Sequence, residues 1–169
     1  MAIEALEKIG KPDVLVGQFE IPMNVNEQVF SYAYKNGVET VLNPAPANKP
    51  SDILLQNTSW FIPNEIEFEE IYGDIFNENN LLLFAKNVDT NVVVTLGEKG
   101  CAYIENNSVK IIKADSVKAI DTTGAGDAFV GAFSFALASK LDIEECLKLA
   151  LKKATDSVTK KGTQSSYKN

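Results

Sequence analysis

Residues 119–133 read AIDTTGAGDAFVGAF: small residues and two aspartates, Asp121 and Asp127, set in front of an apolar, helix-forming run. The stretch predicts a turn that opens directly into a helix. At such a start the first backbone N–H groups have no acceptor inside the helix, and the positive end of the helix dipole favours an anion. Glycines at 124 and 126 let that backbone come close to a phosphate. Asp127 then needs an explanation, because a carboxylate repels an anion unless it has separate work. That work is either accepting a proton from a hydroxyl that attacks the phosphate, or simply capping the helix.

Working outward, the helix beginning at 127 runs to about 139, and a second helical stretch covers 143–159. Before the turn, CAYIENNSVKII carries two short strand patterns around Asn106-Asn107, the signature of a hairpin at a sheet edge. Further upstream, DVLVGQFE, VETVLNP, TSWFIPNE and NVVVTLGEKG are apolar runs of strand length. Helical patterns separate them: 2–9, NVNEQVFSYAYKNG, a short piece around 53–56, NEIEFEEIYG and NLLLFAKN. This alternation predicts one α/β domain over 1–169, a mostly parallel sheet with helices on both faces and an edge hairpin.

Ligands of such sheets gather outside the carboxyl ends of the strands. The residues expected to close the strands are Glu20, Asn43, Asn64 with Glu65 and Glu67, Thr95 with Gly97, and Asp121 with Thr123. Each alone is what any strand end requires; as a series they point to one crevice. TLGEKG, residues 95–100, offers a hydroxyl and two glycines to a nucleotide phosphate. PNEIE puts Asn64 and Glu67 three apart in a helix's first turn, where the carboxylate either meets a hydrated magnesium ion or serves only as a favourable acid at a helix N-terminus.

Composition narrows the chemistry. The chain has 169 residues and a formal charge of −7, which disfavours nucleic acid and anionic membrane as partners. It has no histidine, and all 16 basic residues are lysine, which removes a Ser-His-Asp triad, histidine-ligated zinc and an arginine finger from this chain. Cys101 and Cys146 lack metal-site spacing and read as buried thiols of a reducing compartment. No stretch approaches the roughly 20 apolar residues of a membrane span, and the first ten residues lack a signal-peptide core, so a cytoplasmic location is expected.

DTTGAGDAFVGAF resembles the C-terminal signature of the PfkB family of carbohydrate kinases. VVTLGEKG, NPAPA, PNEIE and VTKKGTQSSY are similar to the corresponding segments of its ribokinase branch, so the resemblance runs over essentially the whole chain. It implies a ribokinase-like fold and ATP-dependent phosphoryl transfer to the primary hydroxyl of a small-molecule sugar, ribose to ribose 5-phosphate. It further implies that Asp127 is the catalytic base and that the amides of Gly124, Ala125, Gly126 and Asp127 form the anion hole. Asn64, Thr95, Leu96, Gly97, Glu98, Lys99, Gly100 and Gly126 would contact ATP, Glu67 would organise Mg2+, and Glu20 with Asp127 would bind the sugar. A monovalent cation, K+, would sit at Asp121, Thr123, Ser157, Lys160, Gly162 and Ser166.

The sequence departs from the family as well. It lacks the glycine-rich sugar-binding sequence and the small β lid that precede the strand ending near Glu20, so it reads as the C-terminal, nucleotide-binding part. Leu151 stands where an asparagine or histidine often approaches the adenine. The alternative reading is a non-catalytic fragment that binds a nucleotide or a partner protein. With N-terminal strands missing, an apolar sheet edge is expected to promote self-association or a homodimer.

Overall fold

The computed structural model describes residues 2–163. In chain order the elements are α1 (Ala2–Ile9), β1 (Val14–Gln18), α2 (Met23–Lys35), β2 (Glu39–Asn43), α3 (Asp52–Gln56) and β3 (Trp60–Phe61). There follow α4 (Glu65–Tyr72), α5 (Glu78–Val88), β4 (Asn91–Thr95), a 3-10 turn (Gly97–Lys99), β5 (Cys101–Glu105), β6 (Ser108–Ile112), α6 (Ala125–Ala138) and α7 (Ile143–Val158). The sheet has six strands in the order β1-β2-β3-β4-β5-β6, with β1 to β4 parallel. Each parallel step returns through a helix, as parallel pairing requires. Asn106 and Asn107, at φ 51° and 58°, make the two-residue turn between β5 and β6. The architecture is the expected α/β, ribokinase-like one.

Short-range chemistry sets many of the helix starts. The side chains of Ser51, Asn77 and Asp142 accept from the N–H groups of Leu54, Asn80 and Glu145 and so begin α3, α5 and α7. The third strand is shorter than its apolar run suggested, because Pro63 cannot donate to a ladder; only Ile62 N–H continues the pairing, to Leu42 C=O at 2.8 Å. A second expectation is corrected outright. Asp121 and Thr123 do not close a strand: residues 113–122 form neither strand nor helix, and the N–H groups of Ile120 and Asp121 both donate to Val158 C=O, at 2.7 and 3.2 Å. The carbonyl at the end of α7 takes the bonds that a strand ladder would have supplied.

By their contacts the described residues fall into two units, 2–94 with 103–110, and 95–102 with 111–163. The first has an aromatic core that fastens α4 and α5 to β3. Phe68 meets Phe84 edge-on with ring centroids 5.4 Å apart, and Phe84 lies 5.6 Å from Phe61. Phe30, Val41, Leu42, Leu54 and Ile62 are buried in the same unit. The second unit is built on the packing of α6 against α7, where Phe129, Phe133, Ala136, Cys146, Leu147 and Ala150 are buried. Each large apolar side chain withdrawn from water contributes about 1.5–3 kcal/mol.

Candidate functional site

In the first unit the parallel register aligns the carboxyl ends of β1 and β2, with Gln18 opposite Asn43. Gln18 Nε2 donates to Asn43 Oδ1 at 2.8 Å, and Asn43 Nδ2 donates to the carbonyl of Ile62 at 2.9 Å, immediately after β3. One line of amides thus ties three strand ends together. Glu20 follows β1 by two residues and is exposed; Asn64 follows Ile62 by two and is exposed as well.

Asn64 and Glu67 form a reciprocal capping box at the start of α4. Asn64 Oδ1 accepts from Glu67 N–H and Glu67 Oε2 accepts from Asn64 N–H, both at 2.8 Å. Asn64 keeps its Nδ2 as a donor for a ligand, since no described residue takes it. Glu67 is only 8% exposed, and burial pushes its carboxyl above the usual range; the Asn64 N–H pulls it back, and the Glu70 charge adds to the rise. A carboxylate that accepts one N–H keeps lone pairs to spare, so Glu67 fits an outer contact to a hydrated divalent ion while it holds the helix.

The second unit holds the glycine-rich pieces. In the 95–100 loop Leu96 N–H donates to Gly100 C=O at 2.8 Å and Gly100 N–H to Gly97 C=O at 3.1 Å, which leaves Gly97, Glu98 and Lys99 exposed at the tip. Gly100 adopts φ 107°, and a Cβ there would lie 1.9 Å from the carbonyl oxygen of Ile112, so no other residue fits. At the other turn Gly124 is left-handed, φ 79°, and is the N-cap of α6. Ala125 N–H is already given to Thr122 C=O at 3.2 Å. The N–H groups of Gly126 and Asp127 lie in the first turn of α6, at the positive end of its dipole. Asp127 is the third residue of the helix, not its N-cap, and is exposed.

Asp121, Thr123 and Gly162 come together at the end of α7. Asp121 Oδ1 accepts from Thr123 N–H and Oδ2 from Gly162 N–H, each at 3.0 Å. These two N–H donors, Thr123 first, hold the Asp121 carboxyl below its ordinary range. Ser157 is buried, with its hydroxyl given to Ala154 C=O at 2.7 Å and its carbonyl taken by Lys160 N–H at 3.2 Å. A carboxylate and loop carbonyls suit a monovalent cation, and Asp121 and Thr123 are the residues here that fit one; Ser157 has the least to offer. Ser166 lies outside the described residues.

Glu20, Asn64 and Glu67 belong to the first unit, whereas the 95–100 loop, Asp121, the 124–127 turn, Ser157, Lys160 and Gly162 belong to the second. Among the described residues no three or more Cys, Asp or Glu side chains gather to cage a metal. No helix among them is long and apolar enough to cross a membrane. Both cysteines are buried and free, and burial pushes Cys101 up to about 12, which makes it a poor nucleophile. Gln18, paired to Asn43, was not singled out in the sequence; the signal available was a carboxamide as the last residue of an otherwise apolar strand.

The family model described as "pfkB family carbohydrate kinase" matches residues 6–169. A Haemophilus influenzae ribokinase is 41% identical over 94% of this chain and 54% of its own length, and a Salmonella typhi deoxyribokinase is 36% identical over 96% and 55%. Among solved structures, Arabidopsis thaliana ribokinase complexed with ribose and ATP superposes with a TM-score of 0.84 at 28% identity, over 91% of this chain and 52% of that one. The chain therefore spans about half the length of the relatives it matches. It belongs to the pfkB family of carbohydrate kinases.

Proposed function

We propose that the chain is the nucleotide-binding part of a kinase that transfers the γ-phosphoryl group of ATP to the primary hydroxyl of a sugar, ribose in the first instance. The observation that carries this reading is the α6 start: Gly124 in the left-handed conformation, the backbone N–H groups of a helical first turn directly after it, and an exposed carboxylate as the third residue. Asp127 takes the proton of the sugar hydroxyl as its oxygen bonds to the γ-phosphorus and the bond to the ADP oxygen breaks. The amides of the turn stabilise the charge on the transferring group. Asn64 Nδ2 and the backbone at 95–100 hold the nucleotide, and Glu20 orients a sugar hydroxyl. Glu67 would hold a hydrated Mg2+, which would supply neutralisation of phosphate charge, and Asp121 and Thr123 would hold K+, which would supply positive potential.

A second reading, for this polypeptide by itself, is nucleotide binding without turnover. β1 lies at the sheet edge with Val16 45% exposed, which supports self-association in that case. One experiment separates the two. Joining this chain to the part of the Haemophilus influenzae ribokinase that the match leaves uncovered should yield ribose-dependent ADP release, and Asp127→Asn in that chimera should abolish it with little change in ATP affinity. A chimera that folds, binds ATP and releases no ADP would leave only the binding reading; parental turnover in the Asp127→Asn chimera would remove Asp127 as the base.

A further inference from the structure

The amide line across the strand ends ties together two residues to which the proposed function gives different ligands. Asn43 is 7% exposed and joins β1 to the residue after β3 through its two amide atoms. Its polarity is fixed, because the Ile62 carbonyl can only accept. Asn43 must therefore present Nδ2 to Ile62 and Oδ1 to Gln18, and Gln18 must answer with its own Nε2. The backbone after Gln18 is held from two further sides. The Gln18 carbonyl accepts from Asn26 Nδ2 of α2 at 2.8 Å, and Phe19 N–H donates to Ala45 C=O at 2.9 Å. At the far end Ile62 C=O accepts from Asn43 Nδ2, Ile62 N–H donates to Leu42 C=O, and Pro63 fixes the backbone that leads into the Asn64–Glu67 capping box.

We propose that Gln18 and Asn43 are positioning residues: a two-amide relay that fixes Glu20, on the sugar side, and Asn64, on the nucleotide side, in one frame. The inference rests on the reading that Glu20 binds a sugar and Asn64 a nucleotide. In this reading neither Gln18 nor Asn43 is assigned a ligand contact. Their hydrogen bonds set where the two exposed ligand-binding residues stand, two positions further along each strand end. A bond lost at either point of the relay loosens both ends, because Asn43 bonds both to Gln18 and to the Ile62 carbonyl.

The test uses the 169-residue chain and reads amide exchange at 19–22 and 62–68, with 78–88 in α5 as the internal reference, together with ADP affinity well below the melting temperature. Asn43→Asp puts an oxygen against the Ile62 carbonyl. Exchange should quicken about 3- to 10-fold at both 19–22 and 62–68 but not in α5, and ADP should bind about 3- to 10-fold more weakly. Gln18→Glu gives a readout that simple loss of packing does not move. At pH 7.5 its carboxylate cannot donate to Asn43 and the same losses appear. Towards pH 5 the carboxyl takes up a proton, donates again, and the losses shrink once exchange is corrected for its intrinsic pH dependence. Gln18→Met should show the losses at both pH values, and it carries the test if Asn43→Asp does not fold. Parental exchange at 62–68 in the Gln18 variants, or losses in Gln18→Glu that ignore pH, would overturn the relay. If the parent chain binds no ADP, the nucleotide reading fails, and the exchange arms still decide the relay.

Discussion

Asn64 and Glu67 hold each other at the start of α4, each accepting the other's backbone N–H at 2.8 Å. Glu67 is thus committed to a structural bond before any ligand arrives. A carboxylate buried to 8% exposure for capping alone would be a costly choice, since a neutral amide can accept the same bond without the desolvation penalty. A cation held by Glu67, as proposed above, would offset that cost.

Glu67→Gln should therefore separate the two tasks. The new amide oxygen can still accept from Asn64 N–H, so α4 should remain capped, whereas Glu67→Ala should cost about 0.5–2 kcal/mol. The folded state raises the Glu67 pKa above 4.5, so folding favours the protonated form and the ionised form carries a penalty. The stability of the Glu67→Gln variant relative to the parent should grow as pH rises from about 4.5 through the folded value. Mg2+-dependent nucleotide binding should nevertheless need more Mg2+ in that variant. A magnesium titration that overlays the parent curve would leave Glu67 as a helix cap only.

Two glycines should respond oppositely to alanine. At Gly100 the new Cβ would sit 1.9 Å from Ile112 C=O in a left-handed backbone, so Gly100→Ala should lose about 3 kcal/mol or more. At Gly131, inside α6, a Cβ meets nothing within 4 Å, and Gly131→Ala should gain about 0.5–1 kcal/mol from helix propensity. Urea unfolding of both variants checks the contrast, and equal midpoints would refute it.

Asp121 should govern part of the acid limb of stability. Two N–H donors favour its charged form, so its folded pKa lies below the unfolded value of 3.8. Its contribution is present above about pH 3.8 and is lost as pH falls through the folded pKa. Asp121→Asn should melt below the parent at pH 6 and converge with it in acid. A difference in melting temperature that is constant from pH 6 to pH 2 would show that these bonds do not depend on ionisation.

The sequence exposed the repeating strand and helix order because buried parallel strands are apolar runs and the helices carry their own caps, such as Asp142 and Asn77. It exposed the glycine turn for the same reason, since Gly124 stands where only a left-handed residue serves. What it hid is long-range. Nothing local in VKAID tells that Ile120 and Asp121 spend their N–H groups on Val158, some 40 positions later, and so form no strand. Gln18 and Asn43 are 25 positions apart, and a pairing between them exists only once the register of β1 and β2 is known. Short-range chemistry was legible; partners chosen by topology were not.

The last expectation concerns the 169-residue chain by itself. In the proposed reading a nucleotide is assigned exposed Gly97 to Lys99, the amides of the α6 first turn, and Asn64 Nδ2. Binding of ADP or ATP in the millimolar to micromolar range, about 4–8 kcal/mol, is expected. The sugar has far less. In the proposed reading the sugar is assigned Glu20 and Asp127, both exposed carboxylates. Orientation of the attacking hydroxyl can contribute roughly 7–11 kcal/mol to such a transfer, and exclusion of water adds to it. On that reading two exposed carboxylates alone forgo most of that gain. Sugar phosphorylation should therefore be negligible while nucleotide binding is retained. A coupled ADP-release assay with ribose, ATP, Mg2+ and K+, run beside calorimetric titration with ADP, reads both quantities on one preparation. Ribose-dependent turnover at an ordinary kinase rate would show that Glu20 and the 124–127 turn suffice to orient the acceptor.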